Sequence, residues 1–217
     1  ETADDIVTKG YDGTMDANQM LDYAESGIFE ISQARQKGQY SHIRDVLVEN
    51  LAIIDRAEQM DGGLTGITTG FSKLDEMTSG MQKSDLIILA ARPAMGKTAF
   101  ALSLARNAAV KGKASVMIFS LEMAKEQLTQ RLLSMESKVD LQTLKTGRLE
   151  RRDWDDLNVA LDILSNSNIH IDDTAGISIM EMKSKCRRLK AEAGLDLVII
   201  DYLQLMNSEG KADSRTQ

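Results

Sequence analysis

An apolar run that changes abruptly into a loop and then a helix constrains this sequence more than any other feature. Residues 85–91 read DLIILAA, and residues 92–98 read RPAMGKT. Beyond residue 98 the apolar side chains recur at the spacing of an amphipathic helix. A strand, a loop, Gly-Lys-Thr and a helix, in this order, are the context in which a phosphate-binding loop is recognised.

The geometry of such a loop explains its chemistry. Successive backbone N–H groups point inward and bind phosphate oxygens, and the start of the helix adds the positive end of its dipole. Lys97 is expected to reach the β- and γ-phosphates, and the Thr98 hydroxyl to bind Mg²⁺. The predicted nucleotide-binding residues are Ala91, Arg92, Pro93, Ala94, Met95, Gly96, Lys97, Thr98 and Ala99.

The loop departs from the general pattern G-x-x-x-x-G-K-[ST] at its first position, where this chain has Ala91. A glycine there can adopt a positive φ, which alanine tolerates poorly. We therefore expect Ala91 to have an ordinary backbone conformation. The alternative is a buried strand, turn and helix with a chance Gly-Lys-Thr, which the surrounding pattern makes the weaker interpretation.

Apolar runs alternate with helical patterns along the rest of the chain. Three further strands are predicted at residues 115–120, 169–171 and 197–200, and all are continuously apolar. Continuous apolar strands are typical of a parallel sheet that is buried on both faces. The fold class predicted is therefore α/β, with four parallel strands flanked by helices. Upstream, Asp16 and Gln19 form a capping-box pattern that begins a helix, and a second helix is predicted over residues 41–59.

Two carboxylates follow predicted strands, where the ends of parallel strands line a ligand crevice. Asp201 comes after four apolar residues, as in a Walker B motif, and its carboxylate would help hold Mg²⁺. Glu122 follows the strand at 115–120 and could polarise a water that attacks the γ-phosphate. The alternative for Asp201 is an aspartate that caps a helix or loop, and the alternative for Glu122 is a surface glutamate. For Glu122 the spacing alone does not decide between the catalytic and the surface role.

Charge and composition limit the function classes. Residues 1–60 hold 12 acidic and 5 basic side chains, whereas residues 61–217 hold 21 of each, so the net charge of −7 lies entirely upstream. An acidic chain is not typical of a nucleic-acid-binding protein.

The single cysteine excludes an intrachain disulfide, and Cys186 lies on an apolar stripe that predicts a core position. His42 and His170 are interpreted as structural, and a basic cluster at residues 185–190 as a solvated helix face rather than a DNA contact.

Several segments in order resemble the bacterial replicative hexameric DNA helicases, the DnaB family. They are TGFSKLDEMTSG, DLIILAARPAMGKTAFAL, FSLEM, TGRLERRDW, IHIDD and LDLVIIDYLQLM, and the resemblance spans residues 66–206. The resemblance implies a RecA-like P-loop ATPase over residues 41–217, preceded by a linker helix at 16–38 and by a linker or remnant of an upstream helical domain at 1–15. It also implies that the family's arginine finger and main DNA-contacting loops lie beyond residue 217.

The function implied by this resemblance is that of an ATP-dependent 5′→3′ replicative helicase subunit, with ATP and Mg²⁺ as cofactors. Lys97 and Glu122 would be catalytic, and Thr98 and Asp201 would bind the metal. The implied partners are further subunits of a homohexamer, single-stranded DNA, primase and a helicase loader, with a cytoplasmic location and no membrane. Two alternatives stay open: another RecA-like ATPase, and a nucleotide-dependent assembly module that does no mechanical work.

Overall fold

The computed structural model describes residues 2–12, 15–36, 42–58 and 64–206. Within these ranges the helices are α1 (Thr2–Tyr11), α2 (Ala17–Gln36), α3 (Ile43–Glu58), α4 (Ser72–Thr78), α5 (Lys97–Val110), α6 (Lys125–Ser137), α7 (Leu141–Thr146), α8 (Arg151–Ser165) and α9 (Ile179–Glu192). The strands are β1 (Val116–Ser120), β2 (Ile169–Asp172) and β3 (Leu197–Asp201), and a short 3-10 turn spans Leu203–Leu205.

The three strands form a parallel sheet in the order β2-β1-β3. Val116 is opposite Ile169 on one side and Leu197 on the other. Because the strands are parallel and in register, all three carboxyl ends lie at one edge of the sheet. The α/β fold class and the parallel arrangement predicted from the sequence are confirmed.

Both faces of β1 are buried, which accounts for its continuous apolar sequence. Side chains alternate between the faces of a strand. Val116 and Ile118 therefore pack with α5 and α6, where Leu102 and Leu128 complete one core cluster. The opposite face packs towards α9, in a second cluster formed by Met117, Phe119, Ile177 and Met182. The cysteine Cys186 is partly buried against this second cluster, as its position on the α9 stripe predicted.

The strand predicted at residues 85–91 is wrong for this structure. These residues are in no strand, and the side chains of Leu86, Ile87, Ile88 and Leu89 are exposed. A strand needs a hydrogen-bonding neighbour, and both edges of β1 are already taken by β2 and β3, neither of which pairs with this segment. The sheet of the described residues therefore has three strands rather than four.

The helix boundaries agree closely with the sequence patterns. The backbone N–H of Gln19 donates to Asp16 Oδ1 at 2.9 Å and the N–H of Asp16 donates to Gln19 Oε1 at 3.1 Å, which confirms the capping box of α2. Ser178 caps α9 by accepting from the N–H of Glu181 at 3.2 Å. Residues 2–11, which the sequence predicted as linker or remnant, form α1. The predicted ends of the linker helix beyond residue 36 and of the second helix beyond residue 58 fall outside the described residues.

Helix α2 lies against α9 of the same chain. Glu25 accepts a hydrogen bond from Ser184 Oγ at 3.0 Å, and its carboxylate is 3.5 Å from Arg187 Nη2. Lys185 is 2.6 Å from Asp172 and 3.1 Å from Glu181. Two residues of the basic cluster, Lys185 and Arg187, are thus half-buried and engaged by carboxylates, whereas the sequence predicted a solvated helix face. Among the described helices, none combines the length and the apolar character needed to cross a membrane.

Candidate nucleotide-binding site

The phosphate-loop sequence forms a tight turn at the start of α5. Gly96 caps the helix with φ 85°, a left-handed conformation that glycine adopts readily. Ala94 is also left-handed, with φ 63°, whereas Ala91 is not among the described residues with positive φ. The expectation that Ala91 has an ordinary backbone conformation is confirmed, and the left-handed alanine of this loop is Ala94. Residues 91–96 are exposed, and Lys97, Thr98 and Ala99 form the half-buried first turn of the helix.

Lys97 and Thr98 meet Asp201, which is the last residue of β3. The ammonium of Lys97 is 2.9 Å from Asp201 Oδ1, and the Thr98 hydroxyl donates to Asp201 Oδ2 at 2.6 Å. Asp201 is buried, with only 7% of its surface exposed. The three residues that the sequence assigned to phosphate and metal binding are therefore in direct contact, although 103 positions separate Thr98 from Asp201.

Glu122 lies at the same edge of the sheet but apart from this cluster. Ser120 is opposite Asp201 in the sheet, and the N–H of Leu121 donates to the carbonyl of Asp201 at 2.8 Å. This bond fixes the turn that carries Glu122 next to the end of β3. Glu122 itself is exposed, and among the described residues it makes no hydrogen bond or ion pair with Lys97, Thr98 or Asp201.

The segment before the loop anchors α5 from the other side. Asp75 accepts hydrogen bonds from the hydroxyls of Thr68 and Thr69, each at 2.6 Å, and from the N–H of Thr69 at 2.8 Å. Burial alone would raise the pKa of Asp75, but these hydrogen bonds outweigh it and hold the pKa below its ordinary value. Asn107 of α5 then donates to the carbonyl of Thr69 at 3.0 Å. Thr68, Thr69 and Asp75 thus help to position the helix that carries Lys97.

Two aromatic contacts near the site were not predicted from the sequence. The Phe71 and Phe100 rings are stacked with their centroids 5.2 Å apart, which links α4 to the first turn of α5. The ammonium of Lys97 lies 4.1 Å from the centroid of the Tyr202 ring. The position of Tyr202, directly after Asp201, was the one available signal, because a residue at that place must lie beside the end of β3.

The oxygen atoms at this junction fit a magnesium ion. Mg²⁺ prefers hard oxygen ligands and is commonly held by one or two carboxylates together with substrate phosphates. Thr98 Oγ1 and Asp201 Oδ2, 2.6 Å apart, provide one hydroxyl and one carboxylate of this kind. Within the part of the chain that the structure describes, there is no cluster of three or more His, Cys, Asp or Glu residues suited to a metal. A magnesium site here would therefore depend on these two residues and on substrate.

The sequence itself relates this site to known proteins. Residues 66–217 match the model of the DnaB-like helicase C-terminal domain. The chain belongs to this family. It is 46% identical over 216 residues to the replicative DNA helicase DnaB of Geobacillus stearothermophilus and 48% identical over 217 residues to the replicative DNA helicase DnaC of Bacillus subtilis strain 168. All of this chain is covered in each case but only 48% of the relative, so it spans about half the length of these relatives.

Solved structures of related proteins have the same fold. One of them, described as an ATPase domain, is 38% identical, with a TM-score of 0.74 over 82% of this chain and 63% of that one. A DnaB-like replicative helicase, whose structure concerns its interactions with primase, is 34% identical, with a TM-score of 0.78 over 99% of this chain and 48% of that one. The RecA-like ATPase fold expected from the sequence is confirmed by these neighbours.

Proposed function

We propose that the full-length protein is an ATP-dependent replicative DNA helicase, and that residues 66–206 carry much of its nucleotide site. The observation that carries this proposal is the contact of Lys97 and Thr98 with Asp201, which brings together the two motifs that an ATPase of this type requires. The identity to replicative helicases over the whole chain supports the same function.

The proposed roles follow from the positions of the side chains. The backbone N–H groups of residues 91–99 bind the phosphates, and the Lys97 ammonium binds the terminal phosphates of ATP. Thr98 and Asp201 would hold Mg²⁺, which would neutralise charge on the phosphate oxygens. Lys97 is paired with Asp201, so the phosphate oxygens of ATP and this carboxylate compete for the same ammonium.

Glu122 is proposed as the residue that orients the attacking water and accepts its proton. Its support is its place at the carboxyl edge of the sheet, where the turn after β1 is hydrogen-bonded to Asp201. It is exposed and has no competing partner among Lys97, Thr98 and Asp201. A carboxylate that is free to turn towards a bound substrate suits this role, since catalytic hydrogen bonds often form only in the complex.

The partners proposed are further copies of the same protein in a hexamer, single-stranded DNA, primase and a helicase loader, in the cytoplasm. The primase proposal is supported by the similarity to a DnaB-like helicase whose structure concerns that interaction.

Residues 16–38 are proposed as the linker helix that packs on a neighbouring subunit. In its support, Leu21 and Ile28 of α2 remain exposed while the acidic side chain of Glu25 engages α9.

Two substitutions in the full-length protein test the ATPase assignment. Lys97→Ala should abolish ATP hydrolysis, because the phosphates lose the side-chain cation of the loop. Glu122→Gln should leave nucleotide binding intact and reduce turnover by about a hundredfold or more, because the amide cannot accept a proton. Steady-state turnover and equilibrium binding measure the two effects. Lys111→Ala at the opposite end of α5 and Glu126→Gln in the first turn of α6 change exposed residues of the same types and serve as controls.

The outcomes separate the proposal from its alternatives. Turnover by Lys97→Ala within a few-fold of the unmodified protein would refute the nucleotide site. If Glu122→Gln loses binding and turnover together, Glu122 is structural. An assembly module that does no mechanical work would hydrolyse ATP without stimulation by single-stranded DNA and would not unwind a duplex, whereas the helicase would do both.

A further inference from the structure

The side chain of Tyr202 makes a contact with Lys97 that neither the phosphate loop nor the Walker B aspartate explains. Its ring faces the ammonium at 4.1 Å, which is well within the range of a cation–π interaction. The carbonyl of Tyr202 accepts from the N–H of Leu205 at 3.2 Å, so the 3-10 turn at Leu203–Leu205 fixes the backbone that carries the ring. The ring is half-buried and lies beside Lys97 of the proposed site.

Lys97 therefore has two partners of different kinds. Asp201 accepts a hydrogen bond from the ammonium, and the same carboxylate also accepts one from Thr98. The Tyr202 ring attracts the ammonium through its quadrupole and leaves the remaining N–H groups available for other acceptors. A carboxylate competes with phosphate oxygens for those N–H donors, whereas an aromatic face does not.

The geometry points to Tyr202 as a positioning residue for Lys97, a role that rests on the proposed function of this site. Asp201 is the proposed ligand of a divalent cation, and a cation bound there compensates the carboxylate charge that attracts Lys97. The ring is neutral, so its attraction for the ammonium persists when the metal is present. Tyr202 thus restricts the flexible lysine side chain to the region where the phosphates bind, which lowers the entropy lost on binding.

The expected effect is on nucleotide affinity. The side-chain ordering that the ring supplies before nucleotide binds corresponds to a change of roughly three- to tenfold in a dissociation constant. Tyr202→Leu in the full-length protein should weaken the binding of a fluorescent ATP analogue with Mg²⁺ by this factor. Tyr202→Phe keeps the ring and removes only the hydroxyl, so its affinity should stay within about twofold of the unmodified protein.

A double substitution shows whether Tyr202 acts through Lys97. In a Lys97→Met background the ammonium is absent, so adding Tyr202→Leu should weaken binding no further. Tyr23→Leu is a matched control, because Lys9 lies over the Tyr23 ring at 5.4 Å and that contact is in α1 and α2. This control should leave nucleotide affinity unchanged. Thermal melting of every variant establishes that it is folded.

The proposal is overturned if Tyr202→Leu binds the analogue as tightly as the unmodified protein. It is also overturned if Tyr202→Phe is as weak as Tyr202→Leu, or if Tyr202→Leu weakens binding equally with and without Lys97. Failure of the underlying function has a different result: Lys97→Met alone would then bind the analogue as tightly as the unmodified protein.

Discussion

Two apolar segments of similar composition differ in burial in this protein: one is exposed and the other is buried. Residues 86–89 read LIIL and lie exposed outside the sheet, with Leu86 87% and Ile88 77% exposed. The β1 segment VMIFS lies at the centre of the sheet, where every residue is buried. Both segments lead into the proposed site, the first through the phosphate loop and the second through Leu121 and Glu122.

The difference comes from strand pairing rather than from sequence. β1 has a parallel neighbour on each side, and helices cover its two faces. Among the described residues, no strand pairs with residues 85–91. An apolar run thus predicts that a segment favours burial, but the neighbour that would bury it is decided by the whole fold.

The largest expected effect on the free energy of unfolding comes from comparing one isoleucine from each segment. Ile118→Ala in the 217-residue chain should lower the free energy of unfolding by about 2–5 kcal/mol, because it leaves a cavity in a packed core. Ile88→Ala should change it by no more than about 0.5 kcal/mol, because the side chain is already in water. Urea unfolding of the two variants measures both. Equal losses would show that residues 86–89 are buried in solution.

A second contrast uses two glycines with positive φ. Gly70 has φ +76°, and a Cβ there would lie 2.3 Å from the Asn107 side chain, so Gly70→Ala should cost about 3 kcal/mol through strain and overpacking. Gly96 has φ +85° with nothing within 4 Å of an added Cβ, so Gly96→Ala should cost only about 1–2 kcal/mol. Urea midpoints in the absence of nucleotide report the difference. A larger loss at Gly96 would contradict the open position of the loop.

The smallest expected effect on the free energy of unfolding comes from two carboxylates in ion pairs, Asp172 and Asp156. Burial alone would raise the pKa of Asp172, but the hydrogen bonds from Lys185 and Thr174 outweigh it and hold the pKa below its usual range. Asp172→Asn should therefore cost about 1–2 kcal/mol at pH 7, since Glu181 still pairs with Lys185. Asp156→Asn, at an exposed ion pair with 4.0 Å between the charges, should change stability by less than about 0.5 kcal/mol.

The sign of the pH dependence follows from the lowered pKa. Asp172 stabilises the folded chain above its unfolded pKa, and this contribution is lost as the pH falls through the lower folded value. The free energy of unfolding should therefore decrease below about pH 4. It should decrease less steeply for Asp172→Asn than for the unmodified chain. An identical slope for both proteins would show that this ion pair does not contribute.

The sequence by itself determined most of the local structure and identified the candidate site residues that contact one another. The helix cap at Asp16 was predicted because capping involves residues only three positions apart. The parallel sheet was predicted from continuous apolar strands, and Asp201 from its place at the end of one of them. Such features depend on neighbours in the chain, or on the rule that parallel strands share one carboxyl edge.

Only the tertiary structure decided which segments pair and which side chains meet across long separations. It left residues 85–91 outside the sheet, placed Ala94 rather than Ala91 in a left-handed conformation, and brought the Tyr202 ring against Lys97. Pairing depends on which sheet edges other strands occupy. A contact such as that of Lys97 with Tyr202 depends on how α5 and β3 pack together. Neither the strand pairing nor this packing is encoded in any one stretch of sequence.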